Sequence, residues 1–328
     1  MRSEGRAKLA AMSAAEPPEI PEPPREFIPP TIQSAAPTDA NALRGHHFKG
    51  LMGLRRTWWL IGVPALAVGA IAASTSIVLG LIGALCVVGL GVGVVFAIAD
   101  SKAADDFFDV YAENHGLELG GRTRLPSATP LLRKGDKQYA KRTLSGEIAP
   151  GAAGLLALFT YEEHTTDSQG NRQTSYYEYT LGMTELPECT EHVPELYCRR
   201  KSGLRSLEKF EDLFRRSKRR VTLESEALGR RYEIFVRKDQ DDIWLRRLFS
   251  PSFIVWLTDS VPEKFAFELV GGTLVAYVPD HKEDTADLDA VAVATGAVAK
   301  RLREEAEGTG TIEGPSNEAP APEPGSEA

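Results

Sequence analysis

The sequence predicts an α+β soluble domain with antiparallel strands, attached to a two-helix transmembrane hairpin. Three observations lead to this fold class. An uncharged apolar stretch occupies residues 57–99, alternating apolar residues typical of strands recur through the C-terminal two thirds, and helical apolar spacing occurs between them. Because strand and helix patterns do not alternate one for one, we expect an antiparallel sheet rather than a parallel one.

The apolar stretch is too long for one membrane crossing. A single helix over residues 57–99 would be roughly 65 Å long, about twice the thickness of the hydrocarbon core. The only polar interruption is Ser74-Thr75-Ser76, so we place one helix at about 57–74 and a second at 77–99. The alternative, a buried soluble core, would require both segments to be apolar on every face, which is rare.

Small residues recur at every fourth position in both predicted membrane helices. These ridges are Ala65, Gly69 and Ala73 in the first helix, and Gly89, Gly93 and Ala97 in the second. Small residues let helix backbones approach closely in lipid. The ridges indicate either packing within the hairpin or a homo-oligomer of two chains, and the hairpin is favoured because it already places its two helices side by side.

The charges that flank the apolar stretch predict its orientation. Four cations precede the first helix, Arg44, Lys49, Arg55 and Arg56, whereas the connector between the helices carries no charge. Cationic flanks stay in the cytoplasm, and two crossings return the chain to the same side. We therefore expect a multi-pass protein of the cell membrane with both termini in the cytoplasm.

The chain divides into four parts by composition. We expect a disordered Pro-rich N-terminal arm with a basic juxtamembrane end, the transmembrane hairpin, a cytoplasmic α+β domain and a disordered acidic Pro-rich tail, over residues 1–56, 57–99, 100–306 and 307–328. A break in the pattern near Ser202-Gly203 suggests two lobes within the domain. Pro23-Pro24 and Pro29-Pro30 fit either a docking peptide or a plain spacer, and the scarcity of apolar side chains favours the spacer.

Local patterns predict the elements of the domain. The predicted strands are 144–148, 155–161, 176–181, 221–224 and 232–236, and the predicted helices are 104–115, 204–214, one that begins at Ser250-Pro251, and 284–305. Gly271-Gly272 lies between two alternating segments and predicts a two-residue hairpin turn.

Part of this domain resembles a known family. The stretches Val221-Thr222-Leu223-Glu224-Ser225, Arg231-Tyr232 with Phe235-Val236, and Leu248-Phe249-Ser250-Pro251 are similar to a bacterial family of membrane-anchored domains of unknown function. The resemblance covers about residues 104–305. It implies a pair of transmembrane helices joined to a soluble domain, and it implies no chemistry.

Cys189, His192 and Cys198 are the candidate metal ligands. A structural zinc site needs four protein ligands, and only the distant His164 or His281 could supply a fourth. Unrelated loop residues are the favoured interpretation, with zinc or an outward-facing disulfide as alternatives. We expect no cofactor.

The strongest local signal is a basic segment between residues 199 and 220, where ten cations stand against three acids. The cations are Arg199, Arg200, Lys201, Arg205, Lys209, Arg215, Arg216, Lys218, Arg219 and Arg220. They indicate either a solvated helix face or a surface that binds anionic lipid headgroups or an acidic protein partner. The net charge of the whole chain is −8, which argues against nucleic acid.

No motif in the sequence predicts catalysis. The chain lacks an HExxH motif, a G-x-S-x-G elbow and a phosphate loop. Glu162-Glu163-His164 is expected on a strand, where neighbouring side chains point to opposite faces. We therefore expect a binding or scaffolding domain at the cytoplasmic membrane face. The alternative is a membrane-anchored enzyme, such as a hydrolase, with a site assembled from distant carboxylates.

Overall fold

The computed structural model describes residues 26–30, 40–74, 76–201 and 217–310. Three helices come first: α1 (Ala40–Gly53), α2 (Arg55–Ala73) and α3 (Ile77–His115). The bounds of α2 and the start of α3 agree with the two segments predicted from the apolar stretch.

Helices α2 and α3 pack against each other in antiparallel directions. A Cβ atom built on Gly80 of α3 would lie 2.7 Å from both the Ala73 Cβ and the Gly69 carbonyl oxygen of α2, so only glycine permits this approach. The predicted ridge of α2 therefore lies in the helix–helix contact. The predicted ridge of α3 does not, because Gly89 and Gly93 have no neighbouring atom within 4 Å of the position of a Cβ atom. The ridge prediction was thus wrong for α3 as a contact within the hairpin.

One helix of the described residues, α3, is by itself long and apolar enough to cross a membrane. Helix α2 meets the criterion only when joined to α1, from which it is bent by 64°. A two-helix transmembrane hairpin therefore stays a prediction.

Helix α3 is 39 residues long and continues from the apolar segment into the soluble domain. Its C-terminal part was predicted as a separate helix, but no residue between 99 and 104 breaks helical geometry. Phe107, Phe108 and Tyr111 of α3 are at most 2 % exposed in the domain core. The helix ends at Gly116, whose φ of 62° gives the left-handed cap that glycine favours.

Helix α1 lies in residues that the sequence assigned to an arm without regular structure. It packs on α3, where Arg44 pairs with Asp100 and His47 Nε2 lies 2.7 Å from Asp106 Oδ2. These partners are about sixty residues away in the chain, so local composition does not reveal them. Residues 1–25 and 31–39 lie outside the described part of the chain.

The soluble domain is built on an antiparallel sheet, which confirms the α+β prediction. The described strands are β1 (Glu118–Gly120), β2 (Lys137–Ala149), β3 (Ala152–Thr166), β4 (Arg172–Glu185), β5 (Glu195–Arg200), β6 (Lys218–Val221), β7 (Tyr232–Arg237), β8 (Ala266–Val270) and β9 (Thr273–Pro279). Their order is β1-β2-β3-β4-β9-β8-β5-β7-β6, with every pair antiparallel. Strands from both sides of residue 202 share this sheet, whereas the sequence suggested two lobes.

The remaining described helices are α4 (Glu226–Arg231), α5 (Asp242–Leu248), α6 (Pro251–Asp259) and α7 (Thr285–Gly310). Helix α6 starts where Ser250-Pro251 predicted it, and β8 and β9 form the predicted hairpin, with φ of 55° and 83° at Gly271 and Gly272. The strand predicted at 221–224 is shifted: β6 ends at Val221, because Ser225 already caps α4 by accepting a hydrogen bond from Leu228 N. The helix predicted at 204–214 lies outside the described residues.

The two faces of the sheet are covered differently. Helices α3 to α7 pack on one face and enclose the main core. Residues 121–136 cover part of the other face, where Leu131 and Leu132 are 1 % exposed against Phe159 and Leu181. The candidate site lies on this second face.

Candidate functional site

The second sheet face carries a group of charged and phenolic side chains, which we call the sheet-face cluster. Its members are Glu195, Tyr197, Arg199, Lys218 and Glu268. In the sheet register Tyr197 lies opposite Glu268 of β8 on one side and Phe235 of β7 on the other. Since alternate strand residues share a face, Glu195 and Arg199 point the same way as Tyr197.

Glu268 is the most deeply buried charge of the cluster, with 1 % of its side chain exposed. Its Oε1 accepts a hydrogen bond from Arg199 Nη2 at 2.8 Å, and its Oε2 accepts one from Leu131 N at 3.0 Å. The carboxylate therefore joins β5 and β8 to residues 121–136. Burial lowers the pKa of Arg199, but Glu268 and the nearby tyrosines outweigh burial and raise it above its usual value.

Lys218 forms the second ion pair of the cluster. Its Nζ lies 3.0 Å from Glu195 Oε2 and donates to the Tyr197 hydroxyl at 2.7 Å, and only 12 % of its side chain is exposed. Burial lowers the pKa of Lys218, and the hydrogen bond to Glu195 opposes this effect. The pKa of Tyr197 is raised by burial and by Glu195, so its hydroxyl stays protonated and can donate to Glu195 Oε2.

The other described cations of the basic segment have partners as well. Arg220 Nη1 lies 3.2 Å from Glu233 Oε1, and Arg219 pairs with Asp242. The Arg200 guanidinium lies 5.1 Å from the Tyr232 ring centroid, and Lys201 Nζ donates to the Gly229 carbonyl oxygen.

The structure therefore corrects the helix-face interpretation for these six cations. They lie on or directly after strands β5 and β6, they point to both sheet faces, and four of them form ion pairs. Four further cations, Arg205, Lys209, Arg215 and Arg216, lie outside the described residues, and their role as a binding surface stays a prediction.

The three candidate metal ligands do not meet in the described part of the chain. No group of three His, Cys, Asp or Glu side chains that could hold a metal occurs there. Cys189 and Cys198 are fully buried free thiols in the core beneath the helices, whereas His192 is partly exposed and its carbonyl oxygen accepts from Gln240. Burial raises the pKa of Cys189 to about 12 and also raises that of Cys198, so both stay as thiols.

A further polar group lies around His281, just before α7. Its Nε2 is 3.2 Å from Thr160 Oγ1 and 3.1 Å from the Phe159 carbonyl oxygen, and its Nδ1 is 3.5 Å from Glu178 Oε1. The order Glu178, His281, Thr160 is that of an acid–base–nucleophile relay. However, Thr160 is fully buried, so no substrate can reach its hydroxyl in this arrangement.

The pKa values of this group follow from burial and charge. Burial lowers the pKa of His281, and Glu178 opposes the shift. For Glu178 burial acts to raise the pKa, but the hydrogen bond from Lys141 and the proximity of His281 outweigh it and lower the pKa. His281 therefore favours the neutral form.

Sequence reasoning missed the acidic half of the sheet-face cluster. Glu195 and Glu268 lie outside the basic segment, and Glu268 lies 69 residues from Arg199. The available signal was the alternation of β8, which places Glu268 on the face opposite Phe267 and Leu269. No family model matches the chain, and neither the curated proteins nor the solved structures include a significant match to it.

Proposed function

We propose that this chain is a multi-pass membrane protein whose α+β domain acts as a binding or scaffolding module at the cytoplasmic membrane face. The observation that carries the proposal is the apolar surface of α2 and α3, which no described residue covers. Exposed side chains on it include Leu60, Leu66, Ile71, Ile77, Leu85 and Leu90, each at least 70 % exposed. Contiguous apolar surface of this extent is uncommon on soluble proteins and typical of a lipid-facing helix pair.

The attachment of the domain supports a scaffolding role. Helix α3 runs without interruption from the apolar segment into the domain core, so no flexible linker separates them. Arg44 of α1 pairs with Asp100 of α3 and lies 4.0 Å from Glu283, which precedes α7. These contacts fix the domain in one orientation relative to the apolar helices, as the presentation of a binding surface requires.

The orientation in the membrane follows from charge. Arg44, Lys49, Arg55 and Arg56 lie at the N-terminal side of α2, and Trp58 and Trp59 follow at the boundary of the apolar surface. Cations favour the cytoplasmic side, and tryptophans favour either membrane interface, so the four cations set the orientation and the tryptophans mark the boundary. Both termini then lie in the cytoplasm.

Reporter fusions test the membrane part of the proposal. Fusions at Ser3 and after residue 310 should both report the cytoplasm, and the full chain should stay in the membrane fraction after carbonate washing. Release by carbonate would overturn the anchoring. A C-terminal reporter on the outside would overturn the orientation.

Anionic lipid headgroups are the proposed partner of the basic segment. Four of the six described cations are ion-paired, so net attraction requires the four cations between residues 205 and 216. Full-length protein in nanodiscs should bind vesicles that contain anionic lipid more tightly than neutral vesicles, and 1 M salt should weaken the binding.

A matched pair of variants locates the binding charge. Reversal of Arg205, Lys209, Arg215 and Arg216 to Glu should abolish the preference for anionic vesicles. The control reverses four exposed cations elsewhere, Arg230, Lys238, Lys264 and Lys300, and changes the net charge equally. Equal loss in both variants would mean that net charge alone determines binding, and it would overturn the role proposed for the basic segment.

A further inference from the structure

A short segment of the N-terminal arm is anchored on the soluble domain through one aromatic side chain. Phe27 is 5 % exposed, and its ring centroid lies 5.0 Å from that of Phe253 and 5.2 Å from that of Trp256. The Phe27 N–H also donates to Ser252 Oγ at 3.2 Å. Three residues in the first half of α6, Ser252, Phe253 and Trp256, thus receive one residue from a distant part of the sequence.

The residues on either side of Phe27 contribute little burial. Ile28 is 77 % exposed, and Glu26 and Pro29 are exposed as well. A segment held by one buried aromatic residue with exposed neighbours has the form of a bound peptide rather than of a core strand, because binding energy in peptide complexes concentrates in such anchors.

We propose that α6 is a recognition site for an extended, proline-containing segment led by an aromatic residue, and that residues 27–30 are its ligand within the chain. Two prolines directly follow the anchor and its neighbour, and proline restricts the segment to extended conformations before it binds. Less conformational entropy is then lost on docking. Pro29-Pro30 therefore acts as part of a docking peptide.

The link between this segment and α1 keeps the ligand close to its site. Nine residues, 31–39, separate Pro30 from Ala40, which allows a span of at most roughly 35 Å. A tether of this length holds the ligand at an effective concentration on the order of 1 mM, as is usual for short linkers. One aromatic anchor binds weakly by itself, and the tether raises the fraction of chains in which the site is filled.

A cleft beside the Phe27 site shows how a competing partner could gain affinity. The cleft has a volume of about 430 Å³ and is lined by Leu223, Arg246, Phe249, Ile254 and Val255, among others. It shares α6 with the Phe27 site, and the Phe249 ring lies 5.9 Å from that of Phe253. A segment with an aromatic anchor and a second apolar group that enters this cleft would displace the strap formed by residues 27–30.

The test uses the full chain in detergent micelles and a fluorescein-labelled peptide of residues 21–32 as the probe. Phe27→Ala empties the site, so this variant should bind the peptide at least tenfold more tightly than the wild type does, as measured by anisotropy. Ile28→Ala is the matched control and should behave as the wild type, since its side chain is exposed. The same peptide with Phe27→Ala should not bind either protein.

The result that overturns the proposal is a folded Phe27→Ala variant that binds the peptide no better than the wild type. Should this variant unfold, a cleavable strap replaces it: a site-specific protease sequence takes the place of residues 34–39. After cleavage, amide exchange in α6 should rise and added peptide should reverse the rise. If the cleaved arm stays bound without its covalent link and the amide exchange of α6 does not change, Phe27 is a permanent part of the core.

Discussion

Removal of the Glu268 carboxylate should destabilise the domain strongly, because the largely buried cation of Arg199 would lose its carboxylate partner. The perturbation is Glu268→Met, which keeps an apolar side chain of similar length on the second sheet face. Arg199 has 13 % of its side chain exposed and would lose the partner that lies 2.8 Å away. Leu131 N would lose its acceptor at the same time.

The magnitude follows from these two losses. Breaking a buried ion pair by removing one partner costs about 3–5 kcal/mol. If Arg199→Met is added, the cation that lost its carboxylate partner is removed, and the main remaining loss is the unsatisfied Leu131 amide, worth about 1–3 kcal/mol. The double variant should therefore be more stable than the single variant, although it carries more substitutions.

Chemical and thermal unfolding of the full chain in micelles measure both variants. For a domain of about 200 residues the single substitution should lower the Tm by roughly 6–20 °C. The matched control is Glu224→Met, because Glu224 and its partner Arg246 have side chains that are 92 % and 72 % exposed. Surface ion pairs contribute about 0–1 kcal/mol, so the Tm of this variant should hardly move.

Two results would refute the reasoning. A Glu268→Met variant within about 1 kcal/mol of the wild type would mean that water reaches Arg199 and replaces its partner. A double variant that is less stable than Glu268→Met would mean that the pair contributes through packing rather than through charge compensation.

Three further predictions concern other parts of the molecule. Gly80→Val should destabilise the α2–α3 pair by about 1–3 kcal/mol through its clash with Ala73, whereas Gly89→Val should not, since its position is open. The measurements are the Tm and the dissociation of oligomers. A larger loss of stability for Gly89→Val than for Gly80→Val would indicate a contact between chains at Gly89. Burial lowers the pKa of His281 below its usual 6.5, so just below pH 6.5 the unfolded state binds more protons than the folded state does. The free energy of unfolding should therefore be highest above pH 6.5 and fall by at most about 1.4 kcal/mol per pH unit below it. His281→Gln should flatten this dependence. Deletion of residues 311–328 should leave the Tm unchanged, because an acidic Pro-rich tail offers little to bury, and a clear drop would show that the tail docks.

The elements that the sequence predicted well are those whose signals are local. The β8–β9 hairpin needs two adjacent residues with positive φ, and Gly271-Gly272 supplies both. Helix α6 starts at Pro251, a residue that favours the first turn, although the Ser250 side chain accepts no capping hydrogen bond, and the end of α3 depends on Gly116. In each case neighbouring residues contain the physical cause, so a single sequence is sufficient.

Helix α1 shows why other elements could not be predicted. Its stretch has little apolar periodicity, and its stability comes from Arg44 and His47, whose partners are on α3, and from Phe48, whose ring lies 6.0 Å from that of Phe96. Phe27 is a similar case, because the aromatic residues that receive it lie more than two hundred residues further along the chain. Burial of these side chains depends on a surface that forms only after the chain has folded.

Glu268 illustrates the same limit at the candidate site. Alternation in β8 places Phe267 and Leu269 on the helix-covered face and Glu268 on the other, and an antiparallel sheet commonly exposes its second face to water. A solvated carboxylate is therefore the natural expectation from sequence. Here residues 121–136 cover that face, and their sequence lacks the apolar periodicity from which a buried layer could be predicted. The Leu131 N–H donates to Glu268, so the carboxylate fastens the segment that buries it. The burial of Glu268 therefore depends on residues 121–136, and the position of these residues depends on Glu268. The sequence around either one could not have predicted this contact.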